Sequence, residues 1–145
     1  MSVSCNAARR MVGPDDKGGG ASEHDAKPVR TIIVAGQSSR RTREVLRALR
    51  GFTNVIWPTS LESALAQTSS ADAGCLVIAD DLREERVDDF LLEARELQRN
   101  LPIFVITDPD DVAEAVSAMR HGATAVIEIP PSYAVLCEEI TRVMQ

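Results

Sequence analysis

The sequence predicts one doubly wound α/β domain, five β-α repeats of about 23 residues around a parallel sheet. Three observations carry this. From residue 30 onward, apolar runs of strand length alternate with segments of helical period. Runs such as C-L-V-I-A and I-F-V-I show no polar alternation, as expected of strands covered on both faces. And 145 residues, 44% of them apolar, suffice for one well-covered core but not for two ordinary domains.

The elements follow in order. Strands are expected at Thr31-Ala35, Asn54-Trp57, Cys75-Ala79, Ile103-Thr107 and Ala125-Ile129. Between and after them, apolar residues recur at i, i+3, i+4 to within a residue, giving each helix one stripe for the sheet. These sets are Val45, Leu46 and Leu49; Leu61, Ala64 and Leu65; Val87, Phe90, Leu91, Ala94 and Leu97; Val112, Ala115, Val116 and Met119; and Leu136, Ile140 and Val143. Ser60 and Ser132 are placed as N-caps, Pro109 suits a first helical turn behind Asp108, and Gly51 and Gly122 fall where left-handed caps are wanted.

Residues 1–29 mix Gly, Pro, Ser and balanced charge without a hydrophobic period, as in G-P-D-D-K-G-G-G-A-S, and read as a disordered arm. The arm is either a partner-binding segment or a solvated leader. It holds four basic and four acidic residues, so the net charge of -6 resides in residues 30–145, with twelve basic against eighteen acidic. That balance argues against nucleic acid as the main partner. Cys5, Cys75 and Cys137 lack C-x-x-C spacing, which makes a zinc site or disulfide framework improbable; Cys75 and Cys137 read as small core residues. With no apolar run of 18 residues and no signal-peptide core, the chain is expected in the cytoplasm, away from membrane.

In doubly wound folds, ligand chemistry sits beyond the carboxyl ends of the strands, where strand order reverses. The residues there are Gly36-Gln37, Asp80-Asp81, Thr107-Asp108 and Ile129-Pro130. Together with L-V-I-A-D, L-P-I-F-V-I-T, A-V-S-A-M-R-H-G-A and V-I-E-I-P-P, these ends resemble the receiver domains of bacterial response regulators, the CheY-like group of flavodoxin-like folds. The likeness covers about 116 residues from Val29. The run from Leu101 to Pro130 is closest to receivers that precede a LuxR-type output domain; no such domain follows Gln145, and a single-domain module is expected.

The resemblance implies sheet order 2-1-3-4-5 and a site with an aspartate that accepts a phosphoryl group. Two further acids hold magnesium, a Ser or Thr and a lysine bind the phosphoryl oxygens, and an aromatic residue switches. Charge is the reason: the transferring group must be met by metal and cation. The acceptor position falls on Asp80, with Ala79 as the small residue before it, or on Asp81 if the match is anchored on D-L-R. Thr107 keeps the hydroxyl position, and Pro130 implies a cis Ile129-Pro130 peptide.

The remaining positions depart from the pattern. Gly36 and Gln37 stand where the acidic pair belongs, Ile129 where the lysine belongs and Val126 where the aromatic belongs; residues 30–145 contain no lysine at all. Magnesium binding is therefore expected to be lost, and the chain to be a non-enzymatic, degenerate receiver that acts through protein contacts. The alternative is a response regulator that still accepts phosphate on Asp80 or Asp81 from a histidine kinase. Partners implied by the family are a histidine kinase or another signalling protein, or a second copy through the face from Val112 to Met144.

Other signals are weaker. A-G-Q-S-S has neither the spacing and lysine of a phosphate loop nor the three glycines of a dinucleotide fingerprint. Arg40 or Arg41 either reaches across to Asp80 in place of magnesium or faces water. Asp108, Asp110 and Asp111, and the acids of R-E-E-R-V-D-D, lack the alternation and glycine of a calcium loop and suit helix starts. A small-ligand sensor lined by Gly36, Gln37 and Thr107 is a third possibility. Trp57 and Tyr133 are either interface anchors or partly buried structural residues.

Overall fold

The structure is a computed structural model that describes residues 30–82, 85–129 and 133–144. Five parallel strands form one sheet in the order β2-β1-β3-β4-β5: β1 Thr31–Ala35, β2 Val55–Ile56, β3 Ala73–Ile78, β4 Ile103–Thr107 and β5 Ala125–Glu128. The helices are α1 Arg40–Ala48, α2 Leu61–Thr68, α3 Val87–Leu97, α4 Val112–Arg120 and α5 Ala134–Met144. Each element expected from the sequence is present, in the predicted order.

Side chains of alternate parity on the central strands feed two apolar clusters, one on each face of the sheet. Ile33, Leu76, Ile78, Ile103 and Val105 meet Ala64 of α2, Phe90, Leu91 and Ala94 of α3, and Ala118 of α4. Ile32, Val34, Val77, Phe104 and Ile106 meet Val45 of α1 and Leu136 and Ile140 of α5. Strands buried on both faces take mostly apolar residues, which is why the runs read as nearly continuously apolar.

The helix ends explain the element boundaries. Ser39 caps α1 by accepting the Thr42 N–H at 3.2 Å, Ser60 caps α2 by accepting that of Ser63 at 3.0 Å, and Asp111 caps α4 by accepting that of Glu114 at 3.1 Å. The Asp111 cap displaces the expected role of Pro109: residues 108–111 form a turn closed by Asp111 N–H to Asp108 O at 3.1 Å, and Pro109 precedes the helix instead of lying in its first turn. Gly122 ends α4 with φ +117. Gly51 is not in the left-handed region; α1 closes on a tightened turn through Leu49 N–H to Val45 O and Leu46 O, which needs no positive φ.

At the end of α3, Arg95 replaces a glycine cap. Its guanidinium donates to the carbonyls of Gln98, Arg99, Leu101 and Gly122, joining the ends of α3 and α4. Partial burial lowers its pKa through desolvation.

Three strands differ from expectation by one or two residues, β2 and β3 at both ends and β5 at one. β2 is only Val55–Ile56, β3 runs from Ala73 to Ile78 and skips Gly74 in its pairing with β1, and β5 stops at Glu128. The expected disordered arm of residues 1–29, the Ser132 cap and Pro130 with its implied cis peptide lie outside the described residues. Among the described residues no helix is long and apolar enough to cross a membrane.

Candidate functional site

The carboxyl ends of β1, β3 and β4 converge on one crevice, and the turn after β1 forms its wall. Gly36 follows the strand with φ +155. A Cβ built there would stand 2.9 Å from Thr42 Oγ1 and 3.1 Å from the Asp80 backbone nitrogen. The turn thus lies close against the residues that follow β3, and both the conformation and the space oppose a side chain at this position. The Gln37 N–H donates to Asp81 O at 2.9 Å, and the Trp57 indole N–H donates to Gly36 O at 3.1 Å, fixing the turn from both sides.

Asp80 is the carboxylate brought against this turn. Its Oδ2 accepts the Ser39 hydroxyl at 2.5 Å and its Oδ1 accepts the Asp81 N–H at 2.8 Å, so both oxygens have protein donors. Ser39 serves two elements at once, since it also caps α1. Asp81 is exposed.

Neither Arg40 nor Arg41 reaches Asp80. Arg41 pairs with Asp108 across the crevice, tying the start of α1 to the loop after β4, while exposed Arg40 bonds Glu44 on its own helix at 3.2 Å. The reason is local: Ser39, one residue nearer the turn, already fills the space beside Asp80. The Arg41–Asp108 pair is largely solvated on the Asp108 side and contributes little stability by itself.

Glu114 of α4 completes this rim, and nothing in the sequence pattern singled it out. Desolvation first, then the hydrogen bond and negative charge of Asp111 and the charge of Asp81, push its carboxyl up to about 7, against an opposing pull from Arg41. Its proton affinity depends on three chain segments meeting, which no local pattern reports.

The other expected site residues lie at β4 and β5. Thr107 is fully buried and its hydroxyl has no hydrogen-bond partner among the described residues. The Ile129 N–H donates to Thr107 O at 3.0 Å, and its side chain is buried in the cluster shared with α5. Val126 is half-buried against the opposite cluster. Ile129 therefore presents hydrocarbon to the core, where a cation would need solvent or a counter-charge.

A cavity of about 370 Å³ opens beside the crevice, between the turn after β1 and the start of α2. Gly36, Gln37, Ser38, Trp57, Thr59 and Leu82 are among its walls. Thr107 is not, so the three residues imagined for a small-ligand crevice do not share one space. Trp57 and Tyr133 both have internal partners, Tyr133 donating its hydroxyl to Glu44 at 3.0 Å. Burial and the neighbouring Glu44 raise the phenol to about 12.

Gly36 offers no carboxylate, both Asp80 oxygens are engaged, and among the described residues no group of three His, Cys, Asp or Glu could hold a metal ion.

No protein-family model matches the chain, and no curated protein sequence matches it. Solved structures do. A response-regulator receiver domain from Clostridium thermocellum superposes with a TM-score of 0.65 at 16% identity, covering 80% of this chain and 94% of that one. A putative response regulator from Chloroflexus aurantiacus gives 0.66 at 20% identity, covering 80% and 98%. The fold is that of a response-regulator receiver domain. A LuxR-family response regulator from Aurantimonas gives 0.66 at 16% identity over 80% and 85%, so it stands no nearer than the others. In receiver terms, the expected positions Gly36, Asp80, Thr107 and Ile129 lie at the carboxyl ends of β1, β3, β4 and β5, where that fold keeps its site.

Proposed function

We propose that this chain is a receiver-type module of two-component signalling that acts by binding other proteins and has no magnesium-dependent phosphoryl switch. The observation that carries this reading is the lack of room at Gly36, where an added Cβ would stand 2.9 Å from Thr42 Oγ1 and 3.1 Å from Asp80 N. An acid cannot be accommodated there without moving the end of β3. A buried isoleucine at 129 in place of a cation agrees with it. Without magnesium or lysine, nothing offsets the repulsion between Asp80 and an anionic donor. The module is accordingly not an enzyme, and partner affinity itself selects its state.

The partner-binding face is that of α4, β5 and α5. Val112, Val116 and Met119 recur at i, i+4, i+7 on α4 and are about half exposed or more, and Val135 of α5 is 50% exposed. Apolar side chains held in water along one face suit a protein partner, either a histidine kinase or other signalling protein or a second copy. Incubation of the full chain with a small phosphodonor and magnesium tests the reading by intact mass. No stoichiometric gain is expected, and magnesium should leave the melting curve unchanged. An acid-stable, base-labile phosphoryl adduct on Asp80 or Asp81 would instead establish a phosphate-accepting regulator.

A further inference from the structure

Two helices on opposite faces of the sheet carry matching stripes of opposite charge. On α1 and its closing turn, Arg43, Arg47 and Arg50 follow i, i+4, i+7 and are all exposed, with Arg40 one turn earlier. On α3, Asp89, Glu93 and Glu96 follow the same i, i+4, i+7 and are all exposed. Among the described residues none of these six forms an ion pair; Arg43 alone has a side-chain partner, the Ser38 hydroxyl at 3.1 Å. Five of the twelve arginines of residues 30–145 fall within residues 40–50, although the chain is acidic. The helices are held apart by the sheet, α1 facing one apolar cluster and α3 the other, so the stripes cannot meet within one molecule.

We infer that α1 of one copy docks along α3 of the next. Equal spacing lets two helices laid side by side bring all three charge pairs together over about 10 Å of axis. Exposed Leu92 borders the acidic stripe and gives the arginine stems an apolar seat. A second copy is favoured over nucleic acid because its α3 offers acids at the same i, i+4, i+7 spacing, while residues 30–145 as a whole carry twelve basic against eighteen acidic residues and so disfavour a polyanion. The two patches differ and lie on opposite sides, so the contact is head-to-tail: it extends to an open chain or closes as a ring, and does not form a two-fold dimer. It is separate from the apolar α4 face and does not depend on the function proposed above.

Sedimentation velocity of the full chain across a salt series tests this, because exposed charges farther apart than about 10 Å are screened at about 0.1 M salt. Species larger than a dimer that grow with protein concentration are expected at low salt and should disappear at high salt. The variants R43E/R47E/R50E and D89R/E93R/E96R, each checked for native circular dichroism, should each lose assembly, and mixing them should restore it because both junctions become complementary again. If a triple variant does not fold, R47E and E93R make the same comparison. Size indifferent to salt, persistence of assembly in either variant alone, or no recovery on mixing would overturn the inference. So would a chain that stays monomeric at low salt while binding a DNA duplex through the α1 arginines.

Discussion

Ser39 gives its hydroxyl proton to Asp80 Oδ2 at 2.5 Å across 41 residues of sequence, while its oxygen accepts the Thr42 N–H that starts α1. One side chain thereby sets both the position of the helix and the orientation of the carboxylate.

Removing that hydroxyl should cost two interactions. Ser39→Ala is expected to destabilise by about 1–3 kcal/mol, from a lost cap and a carboxylate left short of a donor. Asp80→Asn in that background should cost less than it does alone. A double-mutant cycle by denaturant melts measures the coupling, and additivity of the two changes would show that the contact carries none.

Gly36 sets a limit on rebuilding the site. Gly36→Ala should lose about 1–3 kcal/mol, because φ +155 and a neighbour at 2.9 Å both oppose a Cβ. Gly36→Asp should lose at least as much and gain no magnesium affinity, which calorimetric titration of the folded variant with magnesium measures. Heat of binding in that variant would mean the end of β3 yields more easily than its packing indicates.

Thr107 holds a buried hydroxyl without a partner among the described residues. Thr107→Val keeps the shape and removes the unmet polar group, so a gain of about 1 kcal/mol is expected, read as a higher melting temperature. A loss would mean that the hydroxyl is satisfied in solution.

Glu114 makes stability depend on pH. Its carboxyl sits at about 7 in the fold against an ordinary 4.5, so the folded state holds the proton more tightly than the unfolded chain. The stability contributed by the protonated form is fully present below about pH 4.5 and is lost as pH rises to about 7. Glu114→Gln should flatten this part of the profile and melt higher than the parent at about pH 8. Equal slopes for the two proteins between these values would refute it.

How much of this was legible in the sequence follows from the range of each interaction. The central strands and the apolar stripes of α1, α2, α3 and α5 were readable because burial imposes a period on neighbouring residues; the α4 set read as facing the sheet was not, since Val112, Val116 and Met119 are exposed and Ala118 is the residue of α4 that is buried. Edge strand β2 shrank to Val55–Ile56 because it pairs on one side only, through Ile32 and Ile33. The departures at Gly36, Val126 and Ile129 were visible as residue types. That Gly36 is sterically required was not, because Asp80 N and Thr42 Oγ1 meet it only in the fold. Arg41 found Asp108 instead of Asp80 across 67 residues, and Glu114 acquired its perturbation from Asp111, Asp81 and Arg41 together. Such contacts join separate segments and leave no spacing to read.

The bond from the Trp57 indole to Gly36 O has a practical side. The chain contains one tryptophan, and its ring is fixed to the turn that walls both the crevice and the adjoining cavity. Its emission is therefore a built-in optical gauge of that turn, readable without any label.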